Sequence, residues 1–273
     1  MPIKLIALDM DGTTLKDDHF TISRKNRRAI QRAIAQGIWV VPATGRYLQG
    51  IPRSIRTISG VRYAITSNGA CVTDLYGGKP IHTNLIPLET ATEILAVTRQ
   101  FNTFTEVYRD GKAYTQRGTA PPVLRDKLYF PLLSLFLRRE KVDDLIRFVC
   151  GTGASIEKIE LLMENSSLKR QLEKKLEPYA LSVTTSGMNT LEITNSGTSK
   201  GAALEQLCTH LAIKREEVMA MGDNCNDLEM LDWAGLGVSV ENGDPMVKDA
   251  ADFVTFRNNQ DGVAYAIERF ALS

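Results

Sequence analysis

Cysteine is scarce and scattered. The four thiols, Cys71, Cys150, Cys208 and Cys225, contain no Cys-x-x-Cys pair, so a zinc site or a disulfide frame is not expected, and reduced thiols of a cytoplasmic protein are. Histidine is scarcer still, and His19, His82 and His210 have no metal-ligand spacing, so surface or core places are expected for them. No long hydrophobic run is present. The longest, LYFPLLSLFL at 128–137, contains a proline and falls short of the ~20 residues that a membrane span requires. The N-terminus has no charged leader ahead of an apolar core, since Ile3–Leu8 is short and runs straight into an acid. Charge of one sign is missing too: 33 Lys and Arg against 32 Asp and Glu leave a net +1. No global field then recruits nucleic acid or an anionic membrane. There is no P-loop, and Gly235 and Gly237 do not form a dinucleotide fingerprint. Repeats, low-complexity tracts and long linkers are absent.

What is present is an ordinary globular composition, 43% hydrophobic and 24% charged over 273 residues, enough for one large or two modest domains. Residues 3–8 read as a buried strand. Ser23 can cap a helix carrying Ala29, Ile30, Ala33 and Ile34 on one face, with Gly37 as its stop. Residues 38–45 read as a second strand, Ile51, Ile55 and Ile58 as a short helix, and 62–70 as a third strand ending in an Asn-Gly turn. Such alternation predicts right-handed crossovers and a parallel sheet. The rhythm then changes. A hairpin is expected over 71–83 around Gly77-Gly78, and another over 105–115 with Asp110-Gly111 as a primed turn. Helical stretches near 88–101, 140–150 and 164–176 alternate with extended pieces near 154–162 and 180–185. Alternation returns over 189–207, 218–231, 234–240 and 251–256. The expected architecture is α/β: a doubly wound parallel sheet from 1–83 and 188–273, interrupted by an α+β domain over 84–187.

Four polar clusters fall in the outer segments: Asp9/Asp11, Thr44-Gly45-Arg46, Lys200, and Asp223/Asn226/Asp227. Ligands of open parallel sheets bind outside the carboxyl ends of the strands, so these clusters are expected to converge. A carboxylate at Asp9 can attack phosphorus, and a second at Asp11 can protonate the leaving oxygen and later deprotonate water. Gly12 permits the sharp exit between them. The Thr44 hydroxyl and Gly45 amide can donate to phosphoryl oxygens, or Thr44 can serve as a helix N-cap. Lys200 at a helix start, capped by Thr198 or Ser199, can set an ammonium against a phosphate. Asp223 can ligate magnesium, a hard cation that prefers oxygen donors, while Asp227 can hold a metal-bound water or orient Lys200. Asn224 or Asn226 can cap the helix that follows. Cys225 is expected to be a spacer in this loop.

Taken in order, Asp9-Met10-Asp11-Gly12-Thr13, Ala43-Thr44-Gly45-Arg46, Thr66-Ser67-Asn68-Gly69-Ala70, Ser199-Lys200-Gly201 and Gly222-Asp223-Asn224-Cys225-Asn226-Asp227 resemble the haloacid dehalogenase (HAD) superfamily, in particular its Cof-type phosphatases. The resemblance implies Asp9 as nucleophile and Asp11 as acid/base. It implies Met10, Thr44, Gly45, Arg46, Lys200 and Asn226 at the phosphate or substrate. A magnesium ion is implied on Asp9, Asp11 (through its carbonyl), Asp223 and Asp227. The insertion after the third strand resembles the family's type 2 cap, which would close over the site and choose the substrate, with Phe104, Tyr108, Arg109 and Tyr114 as possible cap contacts. The expected activity is hydrolysis of a small phosphorylated metabolite, a sugar phosphate or a phosphorylated cofactor, by a cytoplasmic monomer or homodimer without nucleic-acid or membrane partners. Asp11 argues against the ATPase branch, which carries a hydroxyl residue there. A phosphomutase with the same intermediate and a non-catalytic phospho-ligand sensor are the rival readings.

Overall fold

A computed structural model of the chain describes residues 2–121, 139–185, 187 and 189–272; the apolar stretch 128–137 lies outside the described residues. Among these, no helix is long and apolar enough to cross a membrane. The chain divides into two compact units. One comprises Met1–Arg46, Ile51–Thr83 and Ser199–Ser273, and the other Tyr47–Gly50 and Asn84–Thr198.

The first unit is built on a five-stranded parallel sheet in the order Phe253–Thr255, Leu236–Val240, Val218–Gly222, Leu5–Leu8, Trp39–Pro42. Leu5–Leu8 is apolar throughout because helices cover both faces of the sheet. Leu5 and Ala7 join Val41, Val218 and Ala220 against the helices Lys200–Leu211 and Leu228–Trp233. Ile6 and Leu8 join Val40, Met219 and Met221 against Arg24–Ala35 and Gly262–Phe270. This is the doubly wound arrangement that the alternation predicts. Ser23 caps the first helix as expected, accepting from the Asn26 amide at 3.0 Å.

The third strand lies parallel to the second, as expected, but pairs with it at a single bridge. Tyr63–Thr66 pairs antiparallel with Cys71–Asp74, which pairs in turn with Lys79–Thr83, and it meets the second strand in the expected parallel sense at an Ala43–Ile65 bridge. Pro42 shortens the ladder between them. The Ala43 amide donates to Leu8 and the Thr44 amide to Ile65, so position 42 would have to donate toward the third strand, and proline has no N–H. The helix expected over Ile51–Ile58 is confined to Arg53–Arg56.

The second unit holds a six-stranded sheet ordered Leu181–Thr184, Thr190–Asn195, Lys158–Leu162, Phe104–Arg109, Lys112–Gln116, Glu140–Val142, antiparallel except for its last pair. Helices Leu88–Thr98, Leu145–Thr152 and Ser166–Leu176 pack on one face, against Val107, Ile159, Leu161, Leu191 and Ile193. Asp110 and Gly111 both take positive φ, 49° and 69°, which is the primed turn expected of an Asp-Gly hairpin. The boundary expected at 188 is corrected: Thr190–Asn195 pairs antiparallel on both sides within this sheet. Its alternation, Leu191 and Ile193 inward with Thr190, Glu192 and Thr194 opposite, suits a strand with one apolar face rather than a buried parallel one. Tyr47–Gly50 also joins this unit, through Gln49 N–H to the Gly111 carbonyl and Tyr47 against the Tyr108 ring.

Candidate active site

The strand Leu5–Leu8 continues into Asp9, whose amide still donates to the Met221 carbonyl at 2.9 Å. The chain then makes a wide turn over Met10–Thr14, closed by the Leu15 amide on the Met10 carbonyl at 2.8 Å. Gly12 has φ +82°, and a Cβ there would lie 2.3 Å from Asp223 Oδ2. Both its backbone and its neighbour therefore require glycine. Thr14 Oγ1 donates to the Asp9 carbonyl at 2.6 Å, Thr13 Oγ1 to Asp223 Oδ1 at 2.8 Å, and Asn242 Nδ2 to the Gly12 carbonyl at 2.7 Å. Loops following three adjacent strands are thereby tied to one another.

Asp9 is 5% exposed. Its Oδ1 accepts from Lys200 Nζ at 2.6 Å, while its buried Oδ2 has no hydrogen-bond partner among the described residues. Lys200, the first residue of its helix, is buried as well and donates to Asp227 Oδ1 at 2.6 Å. Ser199, the second of the two capping candidates, accepts from the Ala202 amide. Asp227 turns its Oδ2 to the amides of Asp223 and Asn224, at 3.0 and 3.1 Å.

Burial pushes the Asp9 carboxyl well above the usual range; Lys200 pulls it down, and Asp227, Asp223 and Asp11 push it up again. Burial and Asp227 likewise push Asp223 up to about 6. Burial works against the Lys200 ammonium, but Asp227 and Asp9 outweigh it and raise its pKa. Oxygens of Asp9, Asp223 and Asp227 lie within 4.8 Å of one another. Three crowded carboxylates share one ammonium, and one carboxylate oxygen lacks a donor. The charge and donor type of the cluster therefore fit a hard divalent cation.

Asp11 points elsewhere. Arg46 Nε donates to its Oδ2 at 2.7 Å, Arg46 Nη2 donates to its Oδ1, and His19 Nδ1 lies 2.9 Å from Oδ1. Burial pushes the Asp11 carboxyl up, but the bonds from His19 and Arg46 outweigh it and hold the pKa at about 2. Thr44 Oγ1 accepts from the Arg46 amide at 3.1 Å, so Thr44 orders this loop rather than capping a helix.

A sequence model of haloacid dehalogenase-like hydrolases matches residues 6–267. The chain belongs to the haloacid dehalogenase-like hydrolases. It is similar to YxeH, a putative phosphatase of Bacillus subtilis (strain 168), at 31% identity over 99% of each chain. It is 33% identical to YcsE of the same organism, named a 5-amino-6-(5-phospho-D-ribitylamino)uracil phosphatase, over 99% of this chain and 96% of the relative. Among solved structures, a haloacid dehalogenase-like hydrolase from Bacteroides thetaiotaomicron superposes with a TM-score of 0.83 at 28% identity, covering 98% of this chain and 99% of the other. A parallel sheet with a separate mixed-sheet unit is thus the HAD fold, and phosphoric monoester hydrolysis is the enzyme class that fits this HAD hydrolase.

The loop Asn224–Asp227 follows the strand Val218–Gly222, and Asn224 accepts from the Cys225 amide, which caps the short turn Cys225–Asp227. The helix Leu228–Trp233 begins at Asp227 without a side-chain cap, so neither expected asparagine caps it. Asn226 Nδ2 donates to Asn68 Oδ1 at 3.3 Å, and Cys225 is exposed. Met10 is buried. Arg46, expected at the phosphate, is engaged with Asp11. His19, expected at an indifferent surface or core place, is in this HAD hydrolase a partner of Asp11, and its backbone is left-handed, with φ 60°. Thr13 and Asn242 are further site residues whose contacts the sequence pattern did not announce. In the second unit, Tyr114 lies against Phe148 at 4.4 Å and Phe104 is buried, as packing aromatics are. Tyr108 instead donates to Glu160 at 2.7 Å under the Lys158 ammonium, and Arg109 meets Asp110 at 3.2 Å.

Proposed function

We propose that the chain is a magnesium-dependent phosphomonoesterase that hydrolyses a small phosphorylated metabolite through an aspartyl-phosphate on Asp9. The observation that carries this reading is the Asp9 carboxylate itself, buried at a strand end with Oδ1 on Lys200 and Oδ2 without a hydrogen-bond partner among the described residues. Asp11 first leaves the bonds that hold it ionised and takes a proton from water. Asp9 then attacks phosphorus, the ester P–O bond breaks, and the leaving oxygen takes that proton from Asp11. Water then gives a proton to Asp11 and attacks the same phosphorus, releasing phosphate and restoring Asp9. Lys200, the Thr44 hydroxyl and the Gly45 amide hold the phosphoryl oxygens, with Met10 contributing through its backbone and Asn226 in support. Asp9 and Asp223 would hold the magnesium ion directly, with Asp227 keeping Lys200 and the loop in place. Bound there, the ion would offset the charge that gathers between carboxylates and phosphate. The second unit, under this reading, selects the substrate. The relative named for a phospho-ribitylamino-uracil substrate supports a sugar phosphate or phosphorylated cofactor as the class.

Phosphate release over a panel of metabolites, run with magnesium and again with chelator, tests this. Release is expected with magnesium, loss with chelator, and loss in Asp9→Asn; an Asp9→Asn enzyme with unchanged turnover refutes the nucleophile.

A further inference from the structure

Asp11 is half-buried but held by more bonds than its role as a proton carrier requires. Arg46 donates to both of its carboxylate oxygens, His19 Nδ1 meets Oδ1 at 2.9 Å, and Arg46 Nη2 also donates to the His19 carbonyl at 2.9 Å. Guanidinium, imidazole and the His19 backbone close a ring around one carboxylate. A strained residue completes it: His19 has φ 60°, a region that non-glycine residues take only where the surroundings impose it. Here they do. The Lys16 amide bonds the Thr21 carbonyl at 2.9 Å, and Asp18 accepts from the Phe20 and Thr21 amides at 2.8 Å each. Asn258 Nδ2 donates to the Leu15 carbonyl and to Asp17. This loop is tied down on both sides of the one residue whose side chain reaches Asp11.

We propose that His19 is a positioning residue, a catch that holds Asp11 on Arg46 and limits how readily its carboxyl turns to the leaving oxygen. The inference rests on the phosphatase reading above. While both oxygens accept from Arg46 and His19, the group carries no proton and is aimed away, so it has to turn off the guanidinium and take a proton from water before it acts as an acid. The His19 contact is the one that can be removed while leaving Asp11 paired.

Two esters of similar shape separate this role from a structural one. Phenyl phosphate has the poorer leaving group and depends on the acid; p-nitrophenyl phosphate depends on it much less. The ratio of kcat/KM for phenyl phosphate to that for p-nitrophenyl phosphate reports bond breaking alone, before water enters. His19→Gly removes the imidazole yet accepts the left-handed backbone. His19→Asn tolerates the same backbone and carries an amide nitrogen one bond from Cγ, where the imidazole Nδ1 is. With magnesium present, His19→Gly is expected to raise the ratio about fivefold, the scale of one hydrogen bond, and His19→Asn to return it to the wild-type value. An unchanged or lowered ratio in His19→Gly, or an equal rise in His19→Asn, overturns the catch while leaving the phosphatase reading intact. A wild-type enzyme inert toward both esters overturns both. Should His19→Gly not fold, His19→Gln, with its amide one bond further out, is expected to raise the ratio in its place, and an unchanged ratio there overturns the catch.

Discussion

Replacing Lys200 by methionine keeps the length and apolar stem of the side chain and removes only its charge. Its Nζ lies 2.6 Å from both Asp9 Oδ1 and Asp227 Oδ1, and the side chain is 0% exposed. At an effective dielectric of about 20, each contact represents roughly 6 kcal/mol of gross attraction. Much of that offsets the several kcal/mol, roughly, of removing an ammonium from water. Asp9 can also take up a proton, since burial already pushes its carboxyl well above the usual range. What remains is Asp227, with no exposed surface, its charge answered among the described residues only by two amides. Leaving a buried charge without its partner costs about 3–5 kcal/mol, and the proton on Asp9 places the expected loss near the lower end. Urea denaturation followed by tryptophan fluorescence measures it, because both tryptophans, Trp39 and Trp233, lie in the first unit. Adding Asp227→Asn to Lys200→Met should recover about 1–3 kcal/mol, the coupling expected of directly bonded groups. A single-variant loss below about 1 kcal/mol, the bottom of the range for a buried group left unsatisfied, or a double variant no more stable than the single, refutes this account of the buried triad.

Gly69→Ala should destabilise by about 2 kcal/mol or more, because φ is +102° and the new Cβ would fall 2.1 Å from the Ser199 carbonyl oxygen. A thermal melt decides, and an unshifted Tm counts against the geometry. The bond from Arg62 holds the Asp74 carboxyl at about 2, below its ordinary value. A carboxyl depressed by folding adds stability above its ordinary pKa and loses it as the pH falls toward the folded one. Asp74→Asn should therefore be less stable than wild type at neutral pH and equal to it near pH 2, so a difference independent of pH removes the Arg62–Asp74 pair from the argument.

Much of the first unit was legible because its signals are local. Ser23 ahead of a helical stripe, Asp110-Gly111 between alternating runs and the acids at two strand ends each carry their own chemistry within a few residues. Pairing partners are not local. Leu191 and Ile193 alternate visibly, yet nothing near them says that Leu161 and Ile159 are opposite, so the pattern alone places the strand with the parallel sheet. The ladder between Trp39–Pro42 and Tyr63–Thr66 is short by one bond because Pro42 has no N–H. His19 escaped for a similar reason: a left-handed backbone at a non-glycine residue leaves no mark in composition or spacing, and neither do the contacts of Thr13 and Asn242. Acid clusters declare themselves by residue type, whereas the groups that aim them depend on the path of the chain.

Thr13 and Asp223 are 210 positions apart, and Leu5–Leu8 lies between Trp39–Pro42 and Val218–Gly222. On the ribosome, the first strand emerges with one neighbour and waits for the other while residues 84–198 are made. Throughout that interval it has an open, apolar edge, the kind of surface that invites pairing with another chain. Asp9 and Asp223 come together only after Val218–Gly222 has been made. The length of the inserted segment therefore sets how long that edge stays open during synthesis.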